Sequence, residues 1–210
     1  MASTAVSKYR TAVKVSTATT TAKTITAITK ATSAVCTSSA HGLVAGQIVV
    51  ISGVVGMTEI NNFAGLITAA DTNTFTLNVD STNFTTYASG GTATPQTMTT
   101  VENVTDFQRN GDEADRIDTT NLQSTKKEYV VGLAGEGAIT MPVDIDATGP
   151  GQAAVRAKVG VDTATAVSVT RSDGKIETMM VKWTNFSENF PDAHRGSFAG
   201  TVTGIVGWYA

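Results

Sequence analysis

Two histidines, a single cysteine and eighteen carboxylates are the side chains of this chain with acid–base, nucleophilic or metal-binding chemistry. Their spacing joins none of them into a site. His41 is followed by Gly42, a turn signal. Neither histidine has a Cys or a carboxylate at ligand spacing. Asp192 and His194 flank Ala193 in an expected loop after Pro191, and without a G-x-S-x-G elbow a Ser-His-Asp site has no support. Cys36 falls in a strand candidate and is expected to be a small buried hydrophobe. A lone cysteine forms no internal disulfide and builds no zinc cluster. Gly132-Leu133-Ala134-Gly135-Glu136-Gly137 is glycine-rich, but no helix or Lys follows it, so it reads as a β turn rather than a phosphate loop. Trp183 and Trp208 suit a core or an interface equally well. The expectation is a protein that is not an enzyme, with no cofactor and no metal.

The surrounding elements are read from composition. The 210 residues include 37 threonines, while charged residues are 16% and aromatics 6%. Threonine is β-branched and favours strands over helices, so an all-β chain is expected. The net charge of −3 argues against a general nucleic-acid binder. Residues 1–25 hold no apolar signal core, and the stretch Gly46–Met57 is too short for a membrane span, which needs about 20 residues. A soluble protein made in a reducing cytoplasm is expected. Such low charge suits a surface covered by neighbours.

The two halves differ. Residues 1–100 carry 5 basic and 3 acidic side chains and 24 threonines; residues 101–210 carry 10 basic, 15 acidic and 13 threonines. This shift places a boundary near Gly90–Thr97, where Ser89–Pro95 has linker composition. Thr11–Thr20 is a strand candidate. After it come short strand candidates at Ile25–Ile28, Ala34–Ser38, Gln47–Ile51, Ala64–Ala69, Thr74–Val79 and Gly91–Thr94, with turn signals between them. They suggest a small barrel or sandwich. The second half offers Val101–Gln108, Arg116–Leu122, Glu128–Leu133 and Gly137–Asp146. In the last, Ile139, Met141, Val143 and Ile145 share a face, and Pro142 marks an edge or a bulge. Gly149–Gly160 is the one helix candidate, short enough to need packing on a sheet. Ala166–Thr170, the turn Ser172–Lys175 and Ile176–Phe186 form a hairpin, and Arg195–Trp208 is a last strand.

Several runs in the second half carry a resemblance: Val101-Glu102-Asn103-Val104-Thr105-Asp106-Phe107, Ala114–Leu122, Lys127-Glu128-Tyr129-Val130-Val131-Gly132-Leu133, Gly137–Asp146 and Pro150-Gly151-Gln152-Ala153-Ala154-Val155-Arg156. This half resembles the major tail tube proteins of long-tailed, non-contractile (siphophage-like) bacteriophages. In the first half, Ile25–Ala31, Ala40-His41-Gly42-Leu43, Gly46–Val54, Gly56–Asn61 and Asp71–Leu77 are similar to a small β module, the catalytic-cysteine-half-like domain named from ubiquitin-activating enzymes. The resemblance implies an all-β fold: a β-sandwich or split barrel with one short α-helix, plus a small β-barrel-like accessory module. It divides the chain into 1–24 (arm and first strand), 25–95 (accessory module) and 96–210 (tube domain).

It further implies a structural virion protein of the tail, made in the host bacterial cytoplasm. Such proteins form homo-hexameric rings that stack into a tube for DNA, with tape-measure, tail tip and tail terminator proteins as partners and no membrane. DNA must pass without sticking, which disfavours a cationic lumen. Glu136, Asp144, Asp146 and Glu177 are the lumen-facing candidates. Arg109, Asp112, Glu113, Asp115, Arg116, Asp118 and Lys126 lie in a long, doubly charged stretch and are the ring-stacking candidates. The rival expectation is a capsid decoration protein or tail adhesin. A sugar would then stack on Phe63, Phe75, Phe84 or Tyr87.

Overall fold

The computed structural model describes residues 11–111, 114–134, 137–189 and 194–209. Of the residues singled out above, Asp112, Glu113, Gly135, Glu136, Pro191, Asp192 and Ala193 lie outside the described residues, as do the side chains of Asp115, Leu133 and Trp208. The strands are β1 Ala12–Thr19, β2 Lys23–Thr24, β3 Ala27–Ile28, β4 Val35–Thr37, β5 Ile48–Val55, β6 Phe63–Ala70, β7 Thr74–Leu77, β8 Ser89–Thr100, β9 Gln108–Asn110, β10 Ala114–Asp118, β11 Tyr129–Ala134, β12 Ala138–Asp144, β13 Thr165–Thr170, β14 Ile176–Asn189 and β15 Arg195–Tyr209. One helix, α1, covers Pro150–Arg156. The fold is all-β, with a large antiparallel sheet curled into a half-barrel.

The threonine-rich segment closes on itself. Its strands run β3-β4-β7-β6-β5-β8, and β2 pairs back onto β8. The stretch from β2 to β3 changes partner midway: the Ile25 N–H donates to Gly91 O, and the next amide, Thr26, donates to Thr37 O. This switch shuts a small barrel and leaves it no free edge. Ile25, Val49, Ile51, Phe63, Ile67, Phe75 and Leu77 fill it. None of the 14 threonines in residues 25–95 is buried. Threonine here clothes the outside of a barrel in β-forming, uncharged residues.

Ser89–Pro95, with its linker composition, is in fact the first half of β8. That strand is shared: Ser89–Gln96 pairs with β5, and Gln96–Thr100 pairs with β1. Its glycines serve a close crossing rather than flexibility. Gly91 has φ +100°, and a Cβ there would lie 2.6 Å from Val54 Cγ2.

The second body packs β1, β13, β14, β15 and β12 around Val13, Val15, Val167, Val169, Met179, Val181, Trp183, Phe198, Ile139 and Met141, with Val155 of α1 on the same core. The expected strand Val101–Gln108 survives only as β9, plus a single bridge from Val104 to Val143. The reason is local. Asn103 takes φ +54°, which breaks the extended run, and Glu102 turns to the start of α1. The Thr105 N–H donates to Pro142 O. A strand residue points its N–H and C=O to the same side, so the donor that Pro142 lacks falls on the outer side of β12. There it meets this loop rather than a ladder strand, so β12 tolerates the proline although it lies between β15 and β9 and is not an edge strand.

A third apolar cluster joins the two bodies. Ile48, Ala64 and Leu66 of the barrel meet Ala166 and Met180 of the second sheet. Asn78 fastens the seam: its Oδ1 accepts the Leu66 N–H at 2.7 Å and its Nδ2 donates to Thr178 Oγ1 at 3.3 Å.

Candidate functional site

His41 and Cys36 both have structural roles. His41 is buried and holds a turn. Its Nδ1 accepts the Leu43 N–H at 2.9 Å, its Nε2 lies 3.2 Å from Thr74 O, and its ring meets Phe75 edge-on. Cys36 is buried in the barrel, and burial pushes its thiol pKa up to about 12. It therefore stays protonated at neutral pH. We expect a thiol reagent at pH 8 to leave the folded protein unlabelled and to label Cys36 once it is denatured; rapid native labelling would contradict this. Among the described residues, no group of three or more His, Cys, Asp or Glu is placed to hold a metal. No helix among them is long and apolar enough to cross a membrane.

What the second body does present is edges and faces. β14 pairs with β13 only as far as Val181, but it continues to Asn189 against β15. From Thr184 to Asn189 its other side has no strand partner among the described residues. Arg156 of α1 leans over that stretch, with its guanidinium 4.5 Å from the Phe186 ring centre and 3.5 Å from Glu188. At the opposite margin, β9 pairs with β12 through Ala138–Thr140, and its outer side is likewise without a strand. The distal sheet β14-β15-β12-β9 is therefore open at both margins. All three of its pairings are antiparallel, so the two open edges run in opposite directions.

Cross-strand partners share a face. Opposite the core, this sheet shows Gln108 and Asn110, then Ala138, Thr140, Pro142 and Asp144, then Arg195, Ser197, Ala199 and Thr201. The face is small and polar, and its charges are matched. Arg195 lies 3.4 Å from Asp144, and Lys182 lies 2.7 Å from Asp162.

The three described lumen-facing candidates do not gather. Asp144 is on this face. Asp146 sits just beyond it, where the Thr148 hydroxyl and amide hold its carboxyl below the usual range. Glu177 is 5% exposed and sits between Arg109 and Arg171. The stacking candidates divide as well. Arg109 belongs to β9 and reaches Glu177. Arg116, Asp118 and Lys126 belong to the β10–β11 hairpin and its loop. There Arg116 lies over Tyr129 at 4.3 Å, and hydrogen bonds from Thr120 lower the Asp118 pKa.

That hairpin is a separate two-stranded sheet. Ile117 and Val130 are partners on one face and each is 54% exposed; Val131, 72% exposed, is on the other beside Tyr129. Leu122 in the loop is fully exposed. Isolated hairpins are marginal in water, and apolar residues on both faces call for partners. Sequence reasoning picked out the charges of this stretch and missed its apolar members. The signal was present in Ile117, Leu122, Val130 and Val131, interleaved with polar residues.

The second body thus presents an open-edged sheet and a separate hairpin with exposed apolar side chains. A family model described as phage tail tube, TTP, lambda-like, matches residues 78–198, more than half of the chain. The chain belongs to this phage tail tube family. A second model, the ubiquitin-activating enzyme E1 FCCH domain, matches residues 30–96, the closed barrel without β2 and β3. No curated protein matches the chain. The two matched spans overlap at 78–96, and this overlap includes the part of β8 that pairs with β5. The tail tube body takes β1 from before the barrel and β9 to β15 from after it. β8 is the strand they share, pairing with β5 of the barrel and with β1.

Proposed function

We propose that this tail tube protein assembles into hexameric rings that stack into the tube through which phage DNA passes. The observation that carries the proposal is the distal sheet with two oppositely directed open edges. Joining the Thr184–Asn189 edge of one copy to the Gln108–Asn110 edge of the next makes an antiparallel pair. Because the repeating unit has an even number of strands, the alternation continues around the ring. Edge pairing also satisfies backbone groups that a lone subunit leaves to water. At a strand spacing of roughly 4.8 Å, six four-stranded sheets give a barrel backbone about 37 Å across before tilt widens it. Barrels of about 16–18 strands already hold an aqueous channel.

The face with Gln108, Thr140, Asp144, Ser197 and Thr201 is assigned to the lumen. Its fitness lies in balance as much as in acidity. Asp144 and Arg195 neutralise each other, and hydroxyls and amides offer no cationic field to retain phosphate. The β10–β11 hairpin is assigned to the axial contact, with Arg116, Asp118 and Lys126 beside its exposed apolar residues. An axial contact that joins different surfaces does not close, so rings add into a filament. Tape-measure, tail tip and terminator proteins are the partners assigned to its ends and interior. A sugar-binding role for the barrel gains little from its aromatics, since Phe63 and Phe75 are buried in its core and Phe84 and Tyr87 pack partly buried against it.

Negative-stain microscopy of the concentrated purified protein tests the reading. Tubes of stacked rings are the expected result. Monodisperse subunits at every concentration and salt condition, together with virions lacking the protein in their tails, would overturn it.

A further inference from the structure

Glu177 is the buried carboxylate among the described residues, and the proposed assembly surfaces do not use it directly. It lies in β14 opposite Val169, at one end of the apolar core. Two cations converge on it from different elements. Arg171, in the turn between β13 and β14, places Nη2 3.3 Å from Oε2; Arg109, in β9, places Nε 2.9 Å from Oε1. The second contact is an ion pair rather than an aligned hydrogen bond. Both arginines are partly exposed, at 29% and 42% of their side chains, against 6% for Glu177.

The distinctive member is Arg109. It pairs with Ile139, so its side chain extends on the core face from the outermost strand of the distal sheet across to β14. β9 has only three residues of ladder, all exposed. The hairpin begins at Ala114, four residues after β9 ends. One short strand therefore carries an open sheet edge and the root of the hairpin. Three ladder pairs define a strand poorly, and an ion pair to a carboxylate buried at the core adds a long-range tie to it.

We propose that Arg109, Glu177 and Arg171 form a positioning triad. It seats β9 so that the ring edge and the hairpin root are presented together. This rests on the tube reading for its consequence, but not for its local effect. Glu177→Gln keeps shape and volume while removing the charge that both arginines share. It is expected to speed amide exchange at Gln108–Asn110 by roughly tenfold or more, with far-UV circular dichroism unchanged. The protein concentration needed for tubes should rise by a similar factor. Arg109→Gln should reproduce both effects, and Arg109→Lys, which restores a cation, should recover part of each.

Unchanged exchange at β9 in Glu177→Gln and Arg109→Gln overturns the triad. So does assembly of these variants at the wild-type concentration. Faster exchange in the variants of a wild type that never forms tubes upholds the triad and rejects the tube reading instead. Unfolding of Glu177→Gln would leave Arg109→Gln, with its smaller and more exposed change, as the deciding variant.

Discussion

Replacing Gln152 with leucine is expected to destabilise the tail tube body by about 3–6 kcal/mol, one of the largest losses available from one side chain. Gln152 is fully buried in the first turn of α1 and makes three bonds to backbone groups. Its Oε1 accepts the Asp146 N–H at 3.0 Å; its Nε2 donates to Glu102 O at 2.8 Å and Asp144 O at 2.9 Å. Leucine fills much of the space but leaves three partly buried backbone groups without this partner, at up to about 1–3 kcal/mol each. The neighbouring Gly151 is equally constrained. A Cβ there would clash with Thr100 O, backbone that cannot yield as a side chain can. The Glu102 carboxylate accepts the Gly151 and Gln152 amides. Together these contacts bind the strand end at 144–146, the segment after Thr100 and the helix into one joint. Urea unfolding should show the Gln152→Leu midpoint falling well below wild type at unchanged slope, and Gly151→Ala falling at least as far. A shift of less than 1 kcal/mol in either would show that the joint is not a unit.

Removing residues 25–95 with a short linker is expected to yield an aggregating tube body, even though the barrel has its own core. The seam is the reason. Excision uncovers Ala166 and Met180 and the partly buried Ile176, which pack against Ile48, Ala64 and Leu66 in the whole chain. It also removes the half of β8 that pairs with β5, and it leaves the Thr178 hydroxyl without Asn78. At about 25 cal/mol per Å² of apolar area, the lost cover is worth on the order of 3 kcal/mol, and the exposed patch lies on a sheet face suited to self-association. Adding Met180→Thr and Ile176→Thr to the deletion should restore a soluble subunit and, with it, tubes. Light scattering and microscopy of the two deletion variants decide the matter. A plain deletion that stays soluble and forms tubes would show that the seam contributes little. A repaired subunit that is folded and soluble but forms no tubes would make the barrel part of the assembly.

The element list was legible because threonine content, alternation and turn residues are local signals. β1, the barrel strands, the alternating β12 and the β13–β14 hairpin lie near their expected positions. The failures came where a distant partner outweighs local preference. Val101–Phe107 has strand-like residues, yet Glu102 caps α1 from 49 residues away and Asn103 turns the chain aside. Ser89–Pro95 has the composition of a linker, yet its glycines permit two strands to cross closely, and the segment becomes the strand both bodies share.

The candidate site divides in the same way. Period-two alternation placed Asp144 on a face opposite the core, because pleating alone dictates it. Glu177 has the same local look as Asp144, an acid in a strand, and no pattern in its neighbours separates them. Burial and two arginines separate them, one six residues earlier and one 68 residues earlier in the chain. The amino-acid sequence by itself determined the all-β class, the division into a threonine-rich and a charged half, and the family. Only the tertiary structure decided which edges stay open, which acid is buried and how the barrel is joined to the tube body. Strand formation depends on residues two apart, whereas edges, ion pairs and seams depend on which strands the folded chain brings side by side.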